Sequence, residues 1–178
     1  SIFLTMLGFY ILLLVFKTDS KLAVAGAIAY GFSTYFFFIL SAGHNTKALA
    51  IAYMAPMIGS IFYAYRYDAI KGALLATFFL TLEIMANHPQ ITYYALMCIL
   101  IFILAEFVHS LREKEIPKFF KSSLILIVPL VLSVGMNFSS LYSTYEYGKY
   151  STRSKSELET IDSNKTTGLD RDYITQWS

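Results

Sequence analysis

Two short runs hold the side chains best suited to chemistry. In Ser41-Ala42-Gly43-His44-Asn45-Thr46-Lys47 an imidazole, an amide, a hydroxyl and an ammonium follow one another directly. Such a set suits a phosphate, with Lys47 as a point charge and His44 and Asn45 as hydrogen-bond donors. Gly43 would let the backbone come close. A polar turn wetted by interfacial water would use the same residues. The second run is Glu83-Ile84-Met85-Ala86-Asn87-His88-Pro89-Gln90, followed by Thr92-Tyr93-Tyr94. Glu83 lies inside an apolar stretch, about one turn before Asn87. A carboxyl at such depth usually faces a bundle interior or a water-filled cavity. Glu83 and Asn87 share a helix face if the helix persists that far. Glu83 would then serve as base, charge partner or anchor. The plain alternative has it reaching the interface, or pairing with His44 or Lys47 to lock two loops. His44 and His88 lie on different loops without zinc or di-iron spacing, so no metal site is expected from them.

These runs need elements to hold them, and composition says which. Of the residues, 56% are apolar and 15% charged, against roughly a quarter charged in soluble domains; mean hydropathy is +0.54. A net charge of +2 suggests no nucleic acid or acidic partner. A membrane-crossing helix needs ~20 apolar residues, at ~1.5 Å each across ~30 Å of hydrocarbon. Six segments come close: 2–16, 22–42, 48–65, 70–86, 91–109 and 119–138. A soluble bundle would need a polar face on each helix, and these segments lack one. The expected fold is all-α, a polytopic transmembrane helix bundle over 1–138. Residues 139–178, rich in Ser, Thr, Tyr and charge, read as an extracytoplasmic loop or the start of a soluble portion.

The connections alternate. Lys17, Lys21, Arg66, Lys71, Arg112, Lys114, Lys118 and Lys121 flank the odd ones, and Lys47 alone the short even ones. Lys and Arg in short loops stay in the cytoplasm. Connections near 17–21, 66–71 and 110–121 are therefore expected to be cytoplasmic, with 43–47, 87–90 and 139–178 outside. Pro89 discourages a helical His88 and ends the fourth helix. Pro56 and Pro129 interrupt the third and sixth spans. Glu106 and His109 read as interfacial, and Cys98, the single cysteine, as packing. Asn137-Phe138-Ser139 and Asn164-Lys165-Thr166 match glycosylation acceptors, a short motif that matches often by chance. The first residues carry no initiator Met or basic leader, and the last stop within a polar stretch. The chain is expected to be an internal piece of a longer protein.

The runs Ala42-Gly43-His44-Asn45-Thr46-Lys47, Ala50-Ile51-Ala52-Tyr53-Met54-Ala55-Pro56, and Glu83 followed by Ala86-Asn87-His88-Pro89-Gln90-Ile91-Thr92-Tyr93-Tyr94 resemble the YfhO family of bacterial integral membrane proteins. Gly168-Leu169-Asp170-Arg171-Asp172-Tyr173 with Gln176-Trp177 resembles its long members, of the kind found in Bacteroidetes. The resemblance implies part of a C-superfamily glycosyltransferase membrane domain in the inner membrane. It would use a lipid-linked sugar, carried on polyprenyl phosphate, at the outer face. It implies a catalytic acid in an outer loop upstream of Ser1, a divalent cation as possible cofactor, and Glu83 as the weaker acid here. On this reading His44, Asn45, Lys47, Glu83, Asn87, His88, Gln90, Tyr93 and Tyr94 contact the sugar and its lipid phosphate. The alternatives are a transporter or flippase, or a non-catalytic membrane assembly subunit; sequence leaves the oligomeric state open.

Overall fold

A computed structural model describes residues 1–149. They form eight helices: α1 (Ile2–Val15), α2 (Ser20–Gly31), α3 (Thr34–Ser41), α4 (Asn45–Arg66), α5 (Ala69–Met85), α6 (Pro89–Arg112), α7 (Ile116–Met136) and α8 (Phe138–Lys149). There is no strand among the described residues, so the fold is all-α. Most of the polar tail, including Asn164-Lys165-Thr166 and the run from Gly168, lies outside the described residues. The tail's first part is helical, since α8 begins directly after Asn137. One compact unit takes in Ser1–Leu141.

Local chemistry sets the helix ends. Asp19 Oδ1 accepts from Lys21 N and Leu22 N to start α2. Asp68 Oδ1 accepts from Ile70 N and Lys71 N, both at 3.0 Å, to start α5; such caps satisfy backbone donors that have no partner within the helix. The Lys71 amide above all holds the Asp68 carboxyl below the usual carboxylate range. Four helices end through a left-handed residue, at Lys17, Gly43, Asn87 and Lys114. After α1, α3 and α6 the two closing hydrogen bonds of a Schellman motif, or the outer one, are formed: Lys17 N to Leu14 O and Thr18 N to Leu13 O, Gly43 N to Leu40 O and His44 N to Ile39 O, and Glu115 N to Ser110 O. A lysine in this conformation costs about 1–2 kcal/mol that glycine avoids, less the entropy glycine loses on folding. Lys114→Gly is therefore expected to stabilise the protein by ~0.5–1 kcal/mol, read from detergent-to-SDS unfolding midpoints. Lys17→Gly should be near neutral, because Lys17 Nζ also lies 5.2 Å over the Tyr67 ring and that contact would be lost.

Among the described residues four segments are long and apolar enough to cross a membrane: Ser20–Ser41, Asn45–Arg66, Pro89–Arg112 and Ile116–Met136. The chain is a multi-pass membrane protein by this criterion. Phe3, Leu74, Phe78, Leu100, Ile101 and Val131 are among the large apolar side chains left exposed, the surface a lipid solvent favours. Two of the six expected spans are shorter. α1 has 14 residues and α5 has 17, or ~21 and ~26 Å at ~1.5 Å per residue.

The interruption falls in the second span, not at the prolines. α4 and α7 run through buried Pro56 and Pro129. The break is at Phe32–Ser33, where Ser33 is extended (ψ 142°) and begins α3. Gly31, Ser33 and Thr34 are poor helix formers, and no proline is needed. At Pro56 the lost donor leaves Ala52 O exposed to α1, and Gly8 packs directly on that oxygen and the proline ring. Ser60 Oγ meanwhile donates to Pro56 O at 2.7 Å.

α4 is the hub, packed against α1, α3, α5, α6 and α7. Its buried face carries Ala48, Ala52, Ala55, Gly59, Ser60 and Ala64. Small residues let membrane helices approach closely where hydrophobic burial gives little drive. Gly72 of α5 lies against the Ala64 backbone in this way. α5 and α7 are joined by hydrogen bonds instead. Ser133 Oγ donates to Thr77 O at 3.1 Å, and Thr81 Oγ1 donates to Ser133 Oγ at 3.0 Å. Asn137 Nδ2 donates to Thr81 O and Ser133 O. Asn137 is only 7% exposed, so its amide is committed to packing and cannot serve as a glycosylation acceptor in the folded chain.

The connections cluster at two ends. At one, Phe36, Ile39, Ala48, Ile51, Ala86 and Ile91 form a shared apolar cluster beneath the turns that hold His44 and His88. At the other, Tyr67 OH donates to Val15 O, Arg66 pairs with Glu106 and Tyr65 stacks on Phe119. These are the histidine end and the basic end.

Candidate functional site

The histidine end gathers both sequence runs because α3, α4, α5 and α6 bury their termini in one apolar cluster. Glu83, in the last turn of α5, is 0% exposed. Thr92 Oγ1, in the first turn of α6, donates to Glu83 Oε1 at 3.0 Å and lies 3.4 Å from the His88 carbonyl oxygen. Glu83 Oε2 and His88 Nδ1 are both buried without a hydrogen-bond partner. A buried acceptor left unmatched costs about 1–3 kcal/mol, so this carboxyl is kept at a price that packing alone does not explain.

Glu83 neither reaches the interface nor pairs with His44 or Lys47. Lys47 is half-buried and its Nζ stands 5.5 Å over the Tyr35 ring, an attraction to the ring face. His44 is exposed at the start of α4, and its side chain does not cap the helix. Asn45 is the exposed first residue of α4. Asn87 does not share the Glu83 helix face: α5 ends at Met85, and Asn87 is the left-handed residue (φ 51°) that turns the chain. Pro89 occupies the first turn of α6 rather than the end of α5, a place where its missing donor costs nothing. Gln90 Nε2 donates to Tyr94 OH at 3.0 Å. Tyr93 and Tyr94 are both exposed, their rings tilted at 6.0 Å. The end thus combines an exposed rim of His44, Asn45, Gln90 and two tyrosines with a dry carboxyl beneath it.

Thr92 was not among the expected site residues, yet it is the partner that holds Glu83. Its position nine residues on, across a proline-started turn, was the available signal. Glu106 is buried against α4, where Arg66 Nε and Nη2 both donate to its Oε1, at 3.1 and 2.8 Å. Cys98 is exposed on α6 rather than packed. Among the described residues no three His, Cys, Asp or Glu side chains converge as metal ligands. No family model, curated protein or solved structure matches the chain.

Proposed function

We propose that this chain belongs to a YfhO-like membrane glycosyltransferase, which transfers a sugar from polyprenyl phosphate at the outer face of a bacterial inner membrane. The observation that carries the reading is the histidine end, where a buried carboxyl underlies a rim of imidazole, amide and phenol side chains. The eight basic residues flanking the opposite connections favour a cytoplasmic basic end, which would face the histidine end outward. Lys47 and His44 would stabilise charge on the departing lipid phosphate, where fixed charges at a low-dielectric site act most strongly. Asn45, Asn87, His88 and Gln90 would hydrogen-bond sugar or phosphate, and Tyr93 or Tyr94 would stack on a sugar ring. Glu83, fully buried and held by Thr92, would anchor the rim from beneath.

The test is transfer of labelled sugar from polyprenyl phosphate by membranes that contain the protein. Lys47→Ala and His88→Ala are each expected to lower transfer about tenfold, roughly 1.4 kcal/mol of barrier. Transfer at the parental rate in both variants would refute the site. A second reading, a transporter or flippase, draws on the broken second span, since discontinuous helices line substrate paths in transporters. It predicts movement of the lipid-linked sugar across reconstituted bilayers with no glycosidic bond formed.

A further inference from the structure

The middle of α6 stands away from the bundle. Its ends are tied, by Thr92 to Glu83 and by Glu106 to Arg66. Between them lies an apolar groove of about 290 Å³, lined by α4, α5, α6 and α7 and partly open to the surroundings, with exposed Leu100, Ile127 and Leu130 beside Met57, Leu80 and Ile103 in its wall. An apolar chain laid in this groove gains dispersion contacts with its walls. Water gains little there, since it needs two to four polar partners.

The groove reaches Tyr65, whose hydroxyl is 2.9 Å from Ser123 Oγ. Tyr65 also lines a second pocket, of about 140 Å³, at the basic end. That pocket is polar and carries both signs: Arg66 and Lys118 beside Glu106, Glu113 and Glu115. Both Arg66 bonds fall on one Glu106 oxygen, which leaves Oε2 for another donor. An apolar slot that ends at a pocket of mixed charge matches an amphiphile whose head carries a phosphate and an ammonium.

We infer that α4–α7 seat one phospholipid with a zwitterionic, ethanolamine-type head: one chain lies in the groove behind α6, the phosphate meets Arg66 and Lys118, and the ammonium meets Glu106 and Glu113. This site is at the end opposite the proposed sugar site and does not depend on that reading.

The experiment places the delipidated chain in phosphatidylglycerol bilayers with a trace of phosphatidylethanolamine bearing a photoreactive diazirine on one chain. Labelling is expected to concentrate on the Leu96–Ile103 and Leu126–Leu130 segments, about tenfold above the exposed face of α1. Leu100→Trp fills the slot from a partly exposed position and should remove most of that excess; Ile127→Phe tests the same point if the first variant fails to fold. The same probe on phosphatidylglycerol should label these segments several-fold less, and exposed Glu113→Gln should narrow that difference. Uniform labelling of all exposed helices, or unchanged labelling in the filled variants, overturns the chain seat. Equal labelling by the two head groups overturns the head-group assignment.

Discussion

Replacing Gly72 with valine is expected to cost about 3 kcal/mol or more, and with alanine about 2, by overpacking. At this position even a β-carbon collides with the nitrogen, α-carbon and methyl of Ala64. Most of those atoms are backbone, which cannot swing aside as a side chain can. α4 and α5 would have to separate along the seam that joins the hub to its principal neighbour. Gly135 of α7 is the control, since a β-carbon there meets nothing within 4 Å. Gly135→Ala should be neutral or stabilising by up to ~1 kcal/mol, as alanine is the better helix former. Unfolding midpoints in mixed detergent and SDS micelles measure both. Gly72→Ala at parental stability would mean that α4 and α5 do not approach this closely.

The Arg66–Glu106 pair should show an asymmetric response. The Glu106 side chain is 7% exposed and that of Arg66 33%. Removing one partner of a buried pair costs about 3–5 kcal/mol because the other is left uncompensated. Arg66→Met strands a carboxylate with little access to water, and ~3 kcal/mol is expected; it also removes the guanidinium from the face of Phe62. Glu106→Met strands a guanidinium that can reach water along its own aliphatic stem, so a smaller loss, ~2 kcal/mol, is expected. The double variant should recover most of the larger loss, since two apolar side chains of similar volume replace the pair. Additive losses in the double variant would show that the two groups do not depend on one another.

The helical class and most turn positions were legible, because apolar length and interrupting polar runs depend only on local sequence. Asp19 and Asp68 stand at helix starts as their side chains favour. What escaped was whatever depends on one helix meeting another. The pairing of Arg66 with Glu106 appears only when α4 and α6 are brought together. The expected break at proline assumed that a lost donor must interrupt a helix, but Gly8 and Ser60 supply contacts that let α4 continue. The α5–α7 hydrogen bonds had a readable trace: Ser122, Pro129, Ser133 and Asn137 recur at spacings of seven and four, a single buried stripe of α7. Of the candidate site, Glu83 was recognisable from its depth. That Thr92 would hold it, and that Asn87 would serve the turn instead, required the fold.

The small-residue face of α4 bears on how the chain is made. α4 is the least apolar of the four long segments and the most enclosed by neighbours. Emerging alone from the insertion machinery, it would offer alanine, glycine and serine to lipid where its neighbours offer leucine and phenylalanine. Its entry into the bilayer is weakly driven until α5 follows, two residues after it ends, and closes on Ala64 through Gly72. α4 and α5 are thus suited to enter as one hairpin, and a ribosome stalled between them would leave α4 partitioning poorly.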